Sequence, residues 1–513
     1  MLIDPLATFR DECAALVAAQ VKAPAGYVFE VPPRDDMGLL ACNVAFQLPR
    51  LWKDHPLAIA QKIVARLDRS SFLLVGDVRV AGPGFINFYA DDDRYAHLVL
   101  DALAADGPRY GRDKALYARA VEIWSYDASP SSSLDAARAT ALTAALARLY
   151  RFRGDRVAER RPPSTVPDGD AAPPGDLVAA IASARTVRGQ GQEGALTVDT
   201  DARGQADGVE TAIVLRDADG AWTEAGRDLV AYYLLGAPTP RIGAARPLST
   251  DPGATTDLIL AASVEGADRP RILVAAVAAL RLKGRYPRLH LLVPGPVAVL
   301  DAPGADGSRV MTVESAREVL TAAWVATPVP QPETPMSQRD NEMTPAPQPD
   351  AATALHDALI GVEIAAATTL DLQKIVSTGG SSMSRRRAMR DRLAAAGAGT
   401  RAESPRDPVV AAHDAVRRDE RDALSVGRRA SALIAVLGRF PDAVERAVDA
   451  RAVPLMSVYS DDLTTATDRF LDALAASPDD ERSLGTAVLH ALARGAAQVL
   501  DTLDHLLSPL KET

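Results

Sequence analysis

The sequence of 513 residues contains only two cysteines, Cys13 and Cys42, and no CxxC pair. This scarcity excludes a zinc site built on thiolates and gives no disulfide framework. The seven histidines are scattered without a pair at ligand spacing, so we expect no metal site. The N-terminus is acidic where a signal peptide has a basic flank, and no apolar run reaches about eighteen residues. We therefore expect a soluble, cytoplasmic protein that does not contact a membrane.

A strong excess of positive charge is also lacking. The 57 lysines and arginines against 67 aspartates and glutamates give a formal net charge of −10 at pH 7. Any contact with nucleic acid must therefore come from local basic patches rather than from the overall field. With 513 residues the chain is long enough for three or more domains, each with its own core.

Residues 1–105 have the pattern of a compact α/β module. We predict one helix over Leu6–Lys22 and another that begins with Asp54 as its N-cap and Pro56 in its first turn. Two strands are predicted at Phe72–Val80 and Gly84–Ala90. Alternation along the second strand places three residues on one face, namely Phe85, Asn87 and Tyr89.

Residues 118–325 alternate between strand-like and helix-like segments, which favours a largely parallel, Rossmann-like sheet. The predicted strands are Val121–Ser125, Thr211–Leu215, Asp257–Ser263 and Leu289–Val293. The predicted helices are Leu134–Phe152, Asp228–Leu235 and Ile272–Leu282.

Residues 326–352 are rich in proline, glutamine and acidic residues and contain almost nothing to bury, so we expect a disordered linker or insertion. From 353 to 513 the apolar residues recur at helical spacing. One stripe contains Leu433 and Leu437, and another contains Leu492 and Leu503. These stripes predict a helical bundle, and core packing by itself explains them.

Four stretches carry a family resemblance. They are AGPGFINF at 81–88, DASPSSSL at 127–134 with ALARLYRFRGDRV at 145–157, LRDADG at 215–220 with GRDL at 226–229, and GRRASALIAVLGRFPDAVERA at 427–447. In this order they resemble four parts of the arginyl-tRNA synthetases, a family of class I aminoacyl-tRNA synthetases. Those parts are the additional N-terminal domain, the lead-in with its helix, the LRxSDG…RDL segment, and the start of the anticodon-binding domain.

The resemblance implies an α/β multidomain protein in three parts. These are an N-terminal module that contacts the elbow of tRNA, a Rossmann-like catalytic domain that binds ATP, and a C-terminal helical bundle of the anticodon-binding type. It implies that Phe85 and Asn87 face tRNA, where an exposed aromatic ring stacks on a base. Packing inside the module explains Phe85 equally well. We therefore expect tRNA as the partner of a monomeric protein.

The residues that the family uses for the ATP phosphates are changed. In the family, a histidine, two small residues and a second histidine stand where the helix dipole meets the phosphates. Those positions are Asp135-Ala136-Ala137-Arg138 here, and no histidine occurs between residues 120 and 160. The lead-in asparagine has become Ser129, and the tyrosine before the Arg-Asp pair has become Glu224. Because a carboxylate repels phosphate, these changes predict that the ATP site is degenerate.

The second ATP signature of the family, a Lys-Met-Ser-Lys-Ser loop, has lost its first lysine. The order of the family motifs places it near Gly307–Met311 with the loop deleted, after which Thr312–Ala323 continues as a helix. The other placement is Ser382–Arg385, which keeps a Met-Ser pair. Each lost group that stabilises a transition state costs roughly 2.7–4 kcal/mol. Three such losses, even if non-additive, predict a rate lower by more than about four orders of magnitude.

Several retained residues could still bind a ligand. Arg227 and Asp228 match a pair beside the family's arginine pocket, although an Arg-Asp pair at a helix start is as often structural. A basic cluster near residue 390 either forms a solvated face or contacts RNA phosphates, and it contains Arg385, Arg386, Arg387, Arg390 and Arg392. Arg428 and Arg429 align with the start of the anticodon-domain helix and either contact RNA or cap the bundle.

These observations leave three functions open. The first is a non-catalytic paralogue that binds tRNA or regulates, requires no cofactor and has no intact catalytic residue. The second is an active arginine–tRNA ligase with a rebuilt site, which would use ATP and magnesium. The third is a scaffold that keeps the fold and binds a protein partner.

Overall fold

The computed structural model describes residues 4–21, 26–112, 119–127, 133–162, 177, 196–199, 212–236, 255–280, 286–299, 312–326, 351–361, 368–370, 382–397, 427–475 and 482–509. The chain divides into two compact units. The first consists of Met1–Lys114, Ser384–Asp449 and Leu455–His505, and the second of Ala115–Met383, Ala450–Pro454 and Leu506–Thr513.

The N-terminal part of the first unit is an antiparallel sheet with helices. Helices α1–α4 span Pro5–Gln20, Pro49–Trp52, Pro56–Arg66 and Asp92–Asp106. Strands β1–β4 span Phe29–Glu30, Leu40–Cys42, Val75–Ala81 and Phe85–Ala90. In the sheet these strands lie in the order β1-β2-β4-β3. Asp4 caps α1 by accepting a hydrogen bond from the Ala7 amide. The predicted cap of α3 is wrong by one residue. His55 is the N-cap, and Asp54 instead accepts from the His55 amide and from Lys62.

In the described part of the chain, five further helices belong to the first unit, with a few of their end residues assigned to the second. Helices α10–α14 span Ser382–Gly397, Gly427–Gly438, Phe440–Asp449, Pro454–Ala475 and Arg482–Leu507. Helix α11 packs against α4, and a Cβ at Gly438 would lie 2.4 Å from the Tyr95 hydroxyl, so only glycine allows this approach. The Tyr110 hydroxyl donates to the Leu437 carbonyl at 2.8 Å. The N-terminal module and these helices thus form one body, while the predicted three-domain division stays a prediction.

The basic cluster lies on α10 and faces acidic residues of α13 and α14. Arg386 is 1% exposed, and its Nε donates to Asp504 at 2.5 Å while its Nη1 donates to Ser460 at 3.1 Å. Three neighbouring arginines are also ion-paired, Arg385 with Asp461, Arg390 with Asp501 and Asp504, and Arg392 with Asp468 and Asp472. This side of the cluster therefore holds α10 to the bundle.

The second unit contains a parallel sheet with the order β10-β9-β5-β6. Strands β5–β12 span Ala120–Ser125, Arg156–Arg160, Leu196–Asp199, Ala212–Arg216, Asp257–Ala261, Arg288–Leu292, Val297–Val299 and Thr368–Leu370. Helices α5–α9 span Leu134–Arg153, Glu224–Gly236, Asp268–Ala279, Val313–Ala326 and Ala351–Ile360. The predicted parallel sheet is confirmed. The predicted strand at 211–215 does not belong to it, because β8 pairs antiparallel with β7.

The parallel strands bury residues such as Ile123, Leu258 and Leu260 completely or almost completely, as expected for a sheet covered on both faces. Helix α8 ends at Ala326 and α9 begins at Ala351, so the predicted linker at 326–352 lies almost entirely outside the described residues.

Asp257, at the start of β9, connects two strands at the amino end of the sheet. Its carboxylate lies 2.9 Å from His290 Nε2 and 3.0 Å from Arg288 Nε. Burial alone would raise the pKa of Asp257, but the hydrogen bonds from His290 and Arg288 outweigh burial and hold this pKa well below its usual range. The lowered pKa means that the folded sheet stabilises the ionised form of the Asp257 carboxyl group.

None of the helices in the described part of the chain combines the length and the hydrophobicity that a membrane span requires.

Asp257→Asn should lower the free energy of unfolding at pH 7 by about 1.5–3 kcal/mol, since charged hydrogen bonds are lost. A depressed folded-state pKa contributes stability above the unfolded value of about 3.9 and loses it as pH falls through the folded value. The difference between wild type and variant should thus shrink below about pH 4. Chemical denaturation at a series of pH values from 7 downward measures this difference in the free energy of unfolding. Asp268→Asn is the control, because the Asp268 side chain is 90% exposed. A difference that does not change with pH would contradict this account.

Arg386→Ala should destabilise the first unit by about 3 kcal/mol, because it removes one partner of a buried ion pair. Arg387→Ala is the matched control, since Arg387 is the next residue and is exposed, and it should change stability by less than about 0.5 kcal/mol. Denaturant unfolding followed by circular dichroism compares them. Equal effects of the two substitutions would show that the ion pair on α10 does not stabilise the bundle.

Candidate functional site

The carboxyl ends of β5 and β9 mark the candidate site. Strand β5 pairs with β6 on one side and with β9 on the other, all parallel. The order of the strands reverses at this point, and open parallel sheets bind ligands in the crevice at the carboxyl ends where that reversal occurs. The residues that follow β5 and β9, and the helices that begin there, are therefore the first place to look for a ligand site.

A hydrogen-bonded link joins the two strand ends. Asp127 follows β5, and its carboxylate accepts from the Ser263 amide at 2.8 Å and from the Ser263 hydroxyl at 2.7 Å. The Ser263 hydroxyl in turn accepts from the Gly266 amide at 3.3 Å. This arrangement fixes the loop after β9 at the mouth of the crevice.

The first turn of α5 carries the positions where the family resemblance expects histidines. Ser133 caps the helix through a bond from the Ala136 amide, 3.2 Å long. Asp135 accepts a 2.6 Å hydrogen bond from the Val297 amide, and Arg138 donates to the Gly295 carbonyl at 2.8 Å. Arg138 is completely buried, and burial lowers its pKa while the charge of Asp135 partly restores it. Ser129 lies outside the described residues.

Helix α6 brings Glu224, Arg227 and Asp228 to the crevice. Thr223 precedes the helix, and its hydroxyl accepts from the Gly226 amide at 3.1 Å. A Cβ at Gly226 would lie 2.0 Å from the Leu215 carbonyl oxygen, so glycine is needed for the helix to pack this closely on β8. Arg227 donates to the Trp222 carbonyl at 2.8 Å and contributes to the start of the helix.

Asp228 is the buried carboxylate of the site. It is 0% exposed and accepts two hydrogen bonds of 2.8 Å from Arg269, at the start of α7, one on each oxygen. The Tyr126 hydroxyl donates to it at 3.3 Å. Burial raises the pKa of Asp228, and the bonds from Arg269 oppose that shift. The same pairing raises the pKa of Arg269.

The structure thus brings Glu224 and Asp228 together with Tyr126 and Arg269, and it joins Asp127, the first residue of the 127–134 motif, to Ser263. The motifs did not single out Tyr126, Ser263 or Arg269. A signal for Tyr126, Asp127 and Ser263 exists in the sequence. Tyr126 and Asp127 directly follow β5, and Ser263 closely follows β9, so the edge rule for parallel strands selects them. Nothing in the local pattern distinguishes Arg269.

Some of the residues predicted to contact RNA are exposed, and others are buried. Phe85 is 37% exposed and packs against Phe46, with ring centroids 4.9 Å apart. Asn87 is 2% exposed, which corrects its prediction as a residue that faces tRNA. The burial of Arg386 corrects its prediction as a phosphate contact, whereas Arg387 is exposed. Arg429 lies in α11, but its side chain is outside the described part.

Acidic residues and histidines do not gather at a metal site in the described parts of the chain. The crevice therefore has hydrogen-bonding groups and arginines paired within the protein, and its described residues include no donor set that points to a metal.

Comparison with known proteins shows that the N-terminal part of the chain is similar in sequence to arginyl-tRNA synthetases. The family model for the arginyl tRNA synthetase N terminal domain matches residues 7–90. An arginine–tRNA ligase of Cupriavidus metallidurans is 37% identical over 152 residues, which are 29% of this chain and 25% of that protein. The ligase of Geobacillus kaustophilus is 38% identical over 107 residues, 21% of this chain and 19% of that protein. The chain thus spans about a quarter or less of the length of these relatives.

Solved structures extend the likeness to nearly the whole chain. The arginyl-tRNA synthetase of Thermus thermophilus superposes with a TM-score of 0.62 at 16% identity, over 96% of this chain and 98% of that one. The enzyme of Plasmodium falciparum gives a TM-score of 0.67 at 10% identity and covers both chains completely. The chain is thus similar in sequence to arginyl-tRNA synthetases at its N-terminus, and it shares the fold of these solved structures along nearly its whole length.

Proposed function

We propose that the chain binds tRNA and does not aminoacylate it. On this proposal the second unit is a degenerate nucleotide-binding domain and helices α11–α14 are a bundle of the anticodon-binding type. The protein acts in the cytoplasm as a monomer and requires no cofactor. The remaining choices, an active ligase and a protein-binding scaffold, are distinguished by the two experiments below.

The contacts of Asp135 and Arg138 carry the non-catalytic part of the proposal. A helix amino terminus attracts phosphate because its free amides and its dipole present positive charge. In α5 the Asp135 carboxylate lies in the first turn, where it offsets that positive charge and repels an incoming phosphate. Its bond to Val297, and the bond of the buried Arg138 to Gly295, hold both side chains in contacts within the fold.

Small movements of side chains cannot compensate for the presence of Asp135 and Arg138 where the family has histidines. Arg138 is completely buried, and bringing it to a phosphate would break its bond to Gly295 and open space in the core. Loss of one group that stabilises a transition state costs roughly 2.7–4 kcal/mol. With neither histidine available between residues 120 and 160, the chain lacks the groups that this chemistry uses in the family.

Sequence likeness at the N-terminus supports the tRNA part of the proposal. Residues 7–90 match the N-terminal domain of the arginyl-tRNA synthetases as a family model, whereas solved structures resemble the whole chain at only 10–16% identity. Phe85 is partly exposed at the start of β4, so its ring can take part in stacking on a base. We infer that the N-terminal module keeps its RNA-binding face although the nucleotide site has changed.

Purified protein should show no arginine-dependent exchange of pyrophosphate into ATP, with or without tRNA, because the phosphates meet a carboxylate at α5. An arginyl-tRNA synthetase with both histidines serves as the positive control, and a reaction without protein sets the background. Exchange clearly above that background would refute the non-catalytic proposal and favour an active ligase.

Transfer RNA should bind with micromolar or tighter affinity that falls steeply with salt, because phosphate contacts release counterions. Phe85→Leu keeps apolar packing on Phe46 but removes stacking, so it should weaken binding by about 1–3 kcal/mol and leave the salt slope unchanged. Arg387→Ser should instead reduce the salt slope by roughly 0.7–0.9 if Arg387 contacts a phosphate. Filter binding or fluorescence anisotropy at several salt concentrations measures both.

Leu73→Ala is the matched control for Phe85→Leu, since Leu73 is an apolar residue of the same module with 69% exposure and no aromatic ring. Its affinity should equal that of wild type, and circular dichroism should show that all variants are folded. Absence of saturable tRNA binding by the wild type at low salt would refute the RNA proposal and favour the protein-binding scaffold.

A further inference from the structure

The arginines of α10 fall into two groups that differ in burial. Arg386 is 1% exposed and donates to Asp504 of α14 and to Ser460 of α13. The side chains of Arg385 and Arg392 are instead 54% and 46% exposed. The buried arginine anchors the helix, whereas the two exposed arginines lie where a partner from outside the chain can reach them.

The exposed arginines pair with a row of carboxylates on α13. Arg385 Nη2 donates to Asp461 at 2.9 Å. Arg392 contacts two carboxylates, because its Nη2 donates to Asp472 at 2.9 Å and its Nη1 donates to Asp468. Arg385 and Arg392 are seven residues apart, and so are Asp461 and Asp468. Since seven residues of an α-helix rise about 10 Å, the two rows repeat at the same interval.

This row of carboxylates offers the arginines the same chemistry as a phosphate backbone. The planar guanidinium fork binds carboxylate oxygens and phosphate oxygens with the same donors. Helix α10 carries five arginines and one aspartate, while α13 carries four aspartates and one arginine. The carboxylates of α13 therefore occupy the nitrogen atoms that an RNA phosphate would use.

Ion pairs between exposed side chains can be exchanged for other partners at little cost. Each such pair contributes little to stability, because water and salt screen the attraction. An RNA phosphate replaces the carboxylate with an equivalent acceptor, and its binding also releases counterions. The buried pair of Arg386 with Asp504 keeps α10 on the bundle during that exchange.

We propose that Arg385 and Arg392 form a phosphate-binding edge for RNA that the aspartates of α13 mask. While Asp461, Asp468 and Asp472 pair with these arginines, the edge adds nothing to the affinity for tRNA. The masking carboxylates thus set the affinity of the chain below the value that its arginines could provide. This inference rests on the proposed function, in which the chain binds tRNA through other residues.

Neutralising the masking row should expose the edge. The full-length variant Asp461→Asn/Asp468→Asn/Asp472→Asn, called the unmasked variant, keeps the shape of the three side chains and removes their charge. At low salt it should bind tRNA about tenfold more tightly than wild type. Its salt slope should be steeper by roughly 1.4–1.8, which corresponds to two further phosphate contacts. Fluorescence anisotropy with labelled tRNA at several salt concentrations measures both quantities.

A matched variant controls for the overall loss of negative charge. Asp391→Asn/Glu445→Gln/Asp449→Asn removes the same charge from exposed positions on α10 and α12. Its tRNA affinity and its salt slope should stay close to those of wild type. A gain in this control equal to that of the unmasked variant would overturn the proposal, since any carboxylate would then serve.

Replacing the two arginines tests whether the gain belongs to this edge. In wild type, Arg385→Ser/Arg392→Ser should leave the tRNA affinity and the salt slope almost unchanged, because the carboxylates already occupy both arginines. In the unmasked variant, the same two substitutions should return both quantities to the wild-type values. This dependence on the background is a coupling that a purely structural role of the ion pairs does not produce.

Circular dichroism should show that every variant is folded. If the unmasked variant is not, Asp468→Asn/Asp472→Asn takes its place. This variant releases only Arg392 and keeps the pair of Arg385 with Asp461. Its salt slope should then be steeper than that of wild type by roughly 0.7–0.9, the value for one phosphate contact.

The outcomes for masking and for the proposed function can be told apart. Binding of tRNA by wild type with no gain in the unmasked variant would overturn the masking and leave the proposed function intact. Saturable binding by the unmasked variant alone would support the masking and refute tRNA binding by wild type. Binding by neither would overturn both. Poly-L-glutamate that competes as well as unlabelled tRNA would assign the edge to an acidic protein and overturn the RNA assignment.

Discussion

The parallel pairing of β5 with both β6 and β9 is the constraint on which the second unit depends. Because the strand order reverses at β5, the carboxyl ends of two strands and the starts of α5 and α7 meet at one crevice. The bonds from Ser263 to Asp127 fix that junction. Asp127, Ser263 and the first turn of α5 take their positions from this arrangement of strands.

Buried charged side chains of this acidic protein are paired with other side chains of the same chain. Asp257 is held by His290 and Arg288 at one end of the sheet, and Asp228 is held by Arg269 at the other. In the first unit Arg386 binds Asp504 inside the helical bundle. A buried charge is tolerated only when such partners offset its desolvation. The arginines of α10 that suggested an RNA surface therefore illustrate how composition alone overstates the number of available phosphate contacts.

The candidate site combines the edge of a parallel sheet with side chains that contact other parts of the chain. The sheet and the start of α5 have the geometry in which related folds place phosphates, yet Asp135 and Arg138 bind the segment after β10. Beside them, an arginine of the chain fills the space next to the most buried carboxylate. Asp135, Arg138 and Arg269 thus each make a contact within the protein.

The sequence by itself determined the local elements and the chemistry that is missing. Apolar periodicity and caps located α1, α5, β4 and β9 to within a few residues, and the absence of histidine near α5 needs no structure. Only the tertiary structure decided that β8 pairs with β7, that Asn87 and Arg386 are buried, and that Arg269 fills the space beside Asp228. The reason is physical. Periodicity reports which face of an element is apolar, whereas the partner of a buried polar group is chosen by long-range packing between residues far apart in the chain.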